Sequence, residues 1–304
     1  MSQRSKGGEW GKKDKGIDPI RLVKIAQRNF EVAKVLFERK LYADAAYMLQ
    51  QSIEKATKAI LIKLDLIRSG KELRKRIGHE VTRNVLKLLE GVTTSLILEM
   101  LELFLQLSKD KARSKCSSLI PDSLNLIYSY YKECMLKRRQ VLEAIEGFSK
   151  IVFKDVDKDV ERKANECVDN YFLCVYAFSG LVRDEVFAAY ASVAKCLDVD
   201  TEVLKKYLTE KSMELYLWDV LGFLTLFHVP FEGAVNKLRY SIESIDENKF
   251  IVWWSKQIMN YIESTKMLKC IEECIEEKII EPQCKKILDA ILNVFVLELK
   301  LERS

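Results

Sequence analysis

Two histidines in 304 residues, and eight cysteines with no Cys-x-x-Cys pair among them, leave little to build a metal site from. No metal and no cofactor is expected. Only four prolines and eleven glycines punctuate the chain, and no sustained stretch alternates polar and apolar residues between turn signals, which argues against a sheet. A glycine-rich phosphate loop is missing, since Lys6-Gly7-Gly8 lacks the strand and helix that such a loop needs. No serine-centred elbow, HExxH motif or paired carboxylates stand out. The longest apolar run, 215–231, is interrupted by Asp219, His228 and Pro230. It is too broken for a membrane span and reads as a buried helix. The start of the chain is polar and glycine-rich, with no secretory signal. The expectation is a cytoplasmic protein without membrane contact, its cysteines reduced and mostly buried.

What is abundant is helix-forming. The chain is 48% hydrophobic, rich in Leu, Ile, Lys and Glu, and the expected fold class is all-α. Residues 1–16 hold four glycines and scattered charge and should be a flexible basic tail. That tail carries +3 of the net +5, so whole-molecule charge does not argue for nucleic acid. The charged run 154–163 is the candidate boundary between a first helical unit, 17–152, and a second, 153–304. The second unit matches no family by eye.

Asp18-Pro19 is a helix start, with Asp as cap and Pro at the first helical position. Val23, Ala26, Phe30, Ala33 and Phe37 follow at steps of three and four and form a core stripe. Leu41-Tyr42 turns the chain into a long second helix expected to end near Ser69-Gly70, antiparallel to the first. Its apolar face is Ala45, Leu49, Ile53, Ala56 and Ile60. Beside that face runs a polar stripe of Gln51, Glu54, Lys55 and Lys58, either a solvated face or part of a site. A loop then carries the densest charge of the chain: Arg68, Lys71, Arg74, Lys75, Arg76, Arg83 and Lys87 against Glu72 and Glu80, +5 in 20 residues. Such a patch attracts a phosphate backbone or is simply solvated. A third helix starts near His79 with Val81, Val85, Leu88 and Leu89. Later helices are expected near 122–148, 160–196, 200–229, 231–244, 247–280 and 283–301, with Pro230 and Pro282 as breaks. The five glutamates between Glu272 and Glu281 read as a solvated acidic face.

Ala26, Ala33, Leu41-Tyr42, Ala46, Gln51, Glu54-Lys55-Ala56, Lys58-Ala59 and Gly78-His79 together resemble the HEPN domain, an all-helical family. The resemblance covers residues 17–90 and fades beyond. It implies an antiparallel HEPN-like bundle and a binding module for nucleotide, RNA or a partner protein, such as a nucleotidyltransferase, in a toxin–antitoxin or defence setting. It also implies a homodimer through the first two helices, where Ala45, Ala46 and Ala56 would allow close approach. Ribonuclease members of the family resemble one another in an Arg-x4-6-His motif that cuts RNA without metal, histidine moving the proton and arginine steadying the phosphorane. Arg74 and His79 have that spacing, although they sit before the third helix rather than on a later one. His228 has no arginine at the matching positions upstream. The expected ligand contacts are Arg74, Arg76 and His79, beside Glu54 and Lys58. A metal-independent ribonuclease using Arg74 and His79 is the alternative, and a purely structural helical protein the third reading.

Overall fold

The first helix, α1, spans Pro19–Glu38. Asp18 caps it, its side chain accepting from the Ile20 amide at 2.9 Å, and Pro19 opens it. Val23, Ala26, Phe30 and Ala33 are buried as expected, and Phe37 sets its ring edge-on against Tyr42, centroids 5.0 Å apart. The computed structural model describes residues 17–77, 81–82, 84–85, 87–88, 106, 116, 119–150, 158–160, 162–164, 166, 192–200, 216–218, 220–232 and 249–277. Every element among them is helical, and no strand occurs among the described residues. The expected flexible tail, 1–16, lies outside them.

Helix α2, Tyr42–Lys63, packs chiefly on α1. It is buried on nearly every side, from Ala43 to Leu61. The Ser52 hydroxyl donates to the Ala26 carbonyl at 2.8 Å and ties the two helices inside the core. The polar stripe is therefore not a solvated face: Glu54 is buried and Gln51, Lys55 and Lys58 are half-buried. Ala45, Ala46 and Ala56 are also covered within the single chain.

Helix α2 ends at Lys63, earlier than the sequence suggests, because Asp65 takes the left-handed conformation (φ 54°) and the Leu66 amide reaches back to the Leu61 carbonyl. The basic loop expected after it is in part a helix, α3, Gly70–Arg76. Ser69 starts it by accepting from the Glu72 amide at 3.1 Å, while the Glu72 carboxylate accepts from the Arg68 amide at 2.9 Å. This is a close relative of the capping box. After residues 78–80 the chain is helical again at 81–82, 84–85 and 87–88, with Val81 and Val85 in the core. Helix α4 is Leu119–Lys150; Pro121 is accommodated in its first turn.

Within the apolar run 215–231, the described residues are buried helix as expected: 216–218 and 220–232 are helical, and nearly all of them are inaccessible. Pro230 does not break it. The helix continues through Phe231 and Glu232, and in the turn the proline disturbs, the Trp254 indole donates to the Phe227 carbonyl at 3.3 Å. The helix expected over 247–280 is two, α5 (Lys249–Ser264) and α6 (Met267–Glu276). The Ser264 and Thr265 hydroxyls both bond back to the Tyr261 carbonyl, at 3.1 and 2.8 Å, and Lys266 turns left-handed (φ 50°).

That corner lets α5 and α6 pack against α1 and α2. Gln27 of α1 donates to Glu272 of α6 at 2.7 Å, Lys34 pairs with Glu263 at 2.5 Å and Lys63 with Glu277 at 2.7 Å. Glu272 and Glu277 thus meet the cations and amide of the first two helices rather than water alone. One apolar core runs continuously from Val23 and Ile53 to Phe231, Phe250 and Ile271. The expectation of reduced cysteines is corrected: Cys116 and Cys196, 80 residues apart, form a disulfide, and Cys270 is disulfide-bonded too. The Cα atoms of Cys116 and Cys196, 5.9 Å apart, are within ordinary disulfide reach. No described helix is long and apolar enough to cross a membrane.

Candidate functional site

Three groups of polar residues bear on function: one on α2, one on α3, and one that joins Thr82 to the stretch 220–232. The first is on α2. Glu54 and Lys58 stand one turn apart, and the Lys58 ammonium donates to Glu54 Oε1 at 2.5 Å. Lys55 reaches the same oxygen at 3.4 Å, and the Gln51 amide donates to Oε2 at 3.4 Å. Burial alone would push the Glu54 carboxyl up. The Lys58 hydrogen bond, the charges of Lys58 and Lys55 and the nearby His228 outweigh it and hold the carboxyl below its usual range. The Glu54 charge is therefore balanced chiefly by Lys58.

The second group is α3. Arg68, just before it, is held by Asp65 in a two-pronged ion pair, 3.0 and 2.8 Å. Lys71 and Lys75 are different. They are exposed, lie one turn apart on one face of α3, and meet no counter-charge among the described residues. Lys87 is exposed in the same way. Arg74 and Arg76 lie on α3, but their side chains are outside the described residues, and so is His79. The geometry of the Arg74–His79 pair therefore lies outside the described residues; next to it, Ile77 closes α3 and the Asn84 side chain donates to the Ile77 carbonyl at 3.1 Å.

The third group was not anticipated. His228 is fully buried in the helical stretch 220–232. Its Nδ1 shares a hydrogen bond of 3.1 Å with the Thr82 hydroxyl and lies 3.8 Å from Glu232 Oε2. That carboxylate oxygen accepts from the Thr82 amide at 3.2 Å. His228 Nε2 and Glu232 Oε1 have no hydrogen-bond partner among the described residues. The only signal in the sequence was one histidine in an otherwise apolar run, with a glutamate one turn on.

Chemically, α3 offers exposed cations that meet no counter-charge among the described residues, while on α2 the buried Glu54 is paired with Lys58. Cys274 is no nucleophile: burial, with Glu273 beside it, pushes its thiol up to about 12. No cluster of three or more metal-binding side chains occurs among the described residues.

A HEPN domain family model matches residues 21–152, reaching well past residue 90 where the likeness fades by eye. A protein of Methanocaldococcus jannaschii, named "Putative toxin MJ1304", is 41% identical over 64 residues, which are 21% of this chain and 39% of that protein. The chain thus spans about two fifths of the length of this relative. No solved structure matches significantly.

Proposed function

We propose, from the premise that residues 21–152 belong to the HEPN domain family, that the chain is a toxin-type or defence HEPN module binding a phosphate-bearing ligand. RNA is the first choice and a nucleotide the second. The observation that carries this reading is the pair Lys71 and Lys75, exposed on one face of α3 without counter-charge among the described residues. They stand in a segment of net +5. Exposed cations without counter-charge are what a phosphate backbone recruits, whereas a cation already paired, such as Arg68, contributes less. Arg74, Arg76 and His79 belong to the same proposed surface, with Glu54 and Lys58 behind it as an internal brace. The likeness to a protein named as a toxin supports the setting.

A cytoplasmic location, a nucleotidyltransferase-type partner and a homodimer belong to the same proposal. Because Ala45, Ala46 and Ala56 are covered within one chain, the dimer face is assigned instead to the exposed Val32, Val35 and Leu41. Light scattering checks it: a clean monomer at high protein concentration removes the dimer.

The ligand is tested with a short single-stranded RNA over a range of salt. Wild-type protein binds with a steep salt dependence. Lys71→Ala with Lys75→Ala, or Arg74→Ala with Arg76→Ala, weakens binding across sequences. Each substitution that removes a cation from a phosphate flattens the log–log slope by about 0.7. Cleavage that survives a chelator and vanishes in His79→Ala makes the protein a metal-independent ribonuclease using Arg74 and His79. Wild-type protein that binds neither RNA nor nucleotide at low salt removes the nucleic-acid reading and leaves the partner-protein role.

A further inference from the structure

Helix α4, Leu119–Lys150, turns Val141, Leu142 and Ile145 into the core. Its opposite side faces solvent and carries three features that the single chain does not use. Leu126 and Leu136 stand on it, and Leu136, 55% exposed, is the most open of the large apolar side chains described. Gly147 stands on it as well, inside the last turn, where a Cβ would meet nothing within 4 Å among the described residues. Glycine weakens a helix relative to alanine, and no described neighbour comes close enough to require it. Lys132 and Glu143 lie exposed on one flank of the same side, and neither meets an opposite charge among the described residues. By contrast Lys137 is paired with Glu133 at 2.7 Å. A single exposed leucine is ordinary. The combination of leucines, a glycine and two opposite charges on one helix side calls for a neighbour.

A second copy of the same helix, laid antiparallel across the first, accounts for all three. Facing residues in such a pair run in opposite directions from the two-fold axis. With the axis beside Leu136, that side chain meets the partner's Leu136 at the centre. Leu126 then falls opposite the partner's Gly147, a knob over a hole. The exposed Ser129 falls opposite the partner's Ala144, so the two backbones can come close. Lys132 and the partner's Glu143 share the flank on which antiparallel helices face each other, and symmetry forms that ion pair twice. A parallel pair would set Lys132 against the partner's Lys132 and leave a hollow at Gly147, so only the antiparallel direction fits. We propose that the solvent side of α4 is a self-association surface, on which two copies of this chain join antiparallel with Leu126 seated on the partner's Gly147. Because α4 lies within the matched range 21–152, the pairing brings two HEPN domains together. This surface is separate from the exposed residues of α1 named above, and it does not depend on the phosphate-ligand reading.

The test is sedimentation equilibrium of the full chain over a range of protein concentration, with no ligand present. The wild-type mass should rise with concentration. Gly147→Leu has room in the single chain, so it should keep the helical content and melting temperature of the dilute protein. It should nevertheless remove one association step and halve the mass reached at high concentration. Lys132→Glu and Glu143→Lys each set like charges face to face and should weaken association about tenfold at low salt. The double reversal restores opposite charges and should return the association constant to within about threefold of wild type. A wild-type chain that is monomeric at every concentration overturns the inference. So does Gly147→Leu with the wild-type mass; if Val35→Lys lowers the mass instead, the pairing runs through α1. A double reversal that associates no better than the single ones overturns the antiparallel arrangement.

Discussion

Two helical stretches of this protein are buried on nearly every side, and they dispose of their polar groups in opposite ways. Helix α2 carries two charges into the interior and balances them within one turn, Lys58 on Glu54. The stretch 220–232 carries His228 inward and pairs it with Thr82, 146 residues away in sequence. Both sit in the same apolar core. The difference is one of range. A local pair is set by helix geometry as soon as the helix forms. A distant pair exists only once both parts of the chain have docked. It follows that α2 is equipped to be a scaffold, while 220–232 is equipped to fix the position of something else.

The largest effects should come through the core the two stretches share. Ile53→Ala and Phe231→Ala each remove a side chain that is 0% exposed, and each should cost about 4 kcal/mol. In thermal unfolding followed by circular dichroism, both should lower one and the same transition. Two transitions, each answering to only one of the substitutions, would separate the stretches.

Next in size is the local pair. Glu54→Ala removes the buried carboxylate that pairs with the half-buried Lys58 ammonium and should cost about 3 kcal/mol in denaturant unfolding. The double variant with Lys58→Met should recover part of that loss. A double variant no better than the single one would mean that Glu54 stabilises by something other than this pair. The same carboxylate predicts an acid response. Its folded pKa lies below the ordinary value of 4.5. The stabilisation is therefore complete above 4.5 and is lost as pH falls through the depressed folded pKa. Stability curves of wild type and Glu54→Gln should converge on acidification below 4.5. Parallel curves would contradict the pairing.

A smaller effect belongs to the distant arrangement. Trp254→Phe removes the indole that donates to the Phe227 carbonyl in the turn disturbed by Pro230. The cost should be about 1 kcal/mol by chemical denaturation. Placing a polar partner back, as in Trp254→His, should return less than the full amount, because the buried ring also stacks on Phe250, centroids 5.9 Å apart.

This difference in range also decides what the sequence could disclose. The start of α1 at Asp18-Pro19, its stripe from Val23 to Ala33, the burial of Val81 and Val85 and the buried helical residues 216–218 and 220–231 all follow from short-range spacing, and all are found. The neighbourhood of Glu54 and Lys58 was legible for the same reason. Helix ends were harder. Lys40, Asp65, Asp198, Lys266 and Glu277 all take positive φ at or beside helix ends, where glycine usually stands. In a chain with so few glycines, the early end of α2 and the break between α5 and α6 left no mark. Pro230 gave the opposite error, a breaker whose helix is supported by a tryptophan from α5. The disulfide between Cys116 and Cys196 and the grip of Glu232 and His228 on Thr82 join residues 80 to 150 apart. No local spacing encodes such pairs.

If α2 and the stretch 220–232 belong to one cooperative core, then the two must open together. Native-state hydrogen exchange with increasing denaturant decides this, read separately on peptides from α2 and from 220–232. The slowest amides of both should open with the same free energy and the same denaturant dependence. Exchange in 220–232 at low denaturant while α2 stays protected would contradict a shared core.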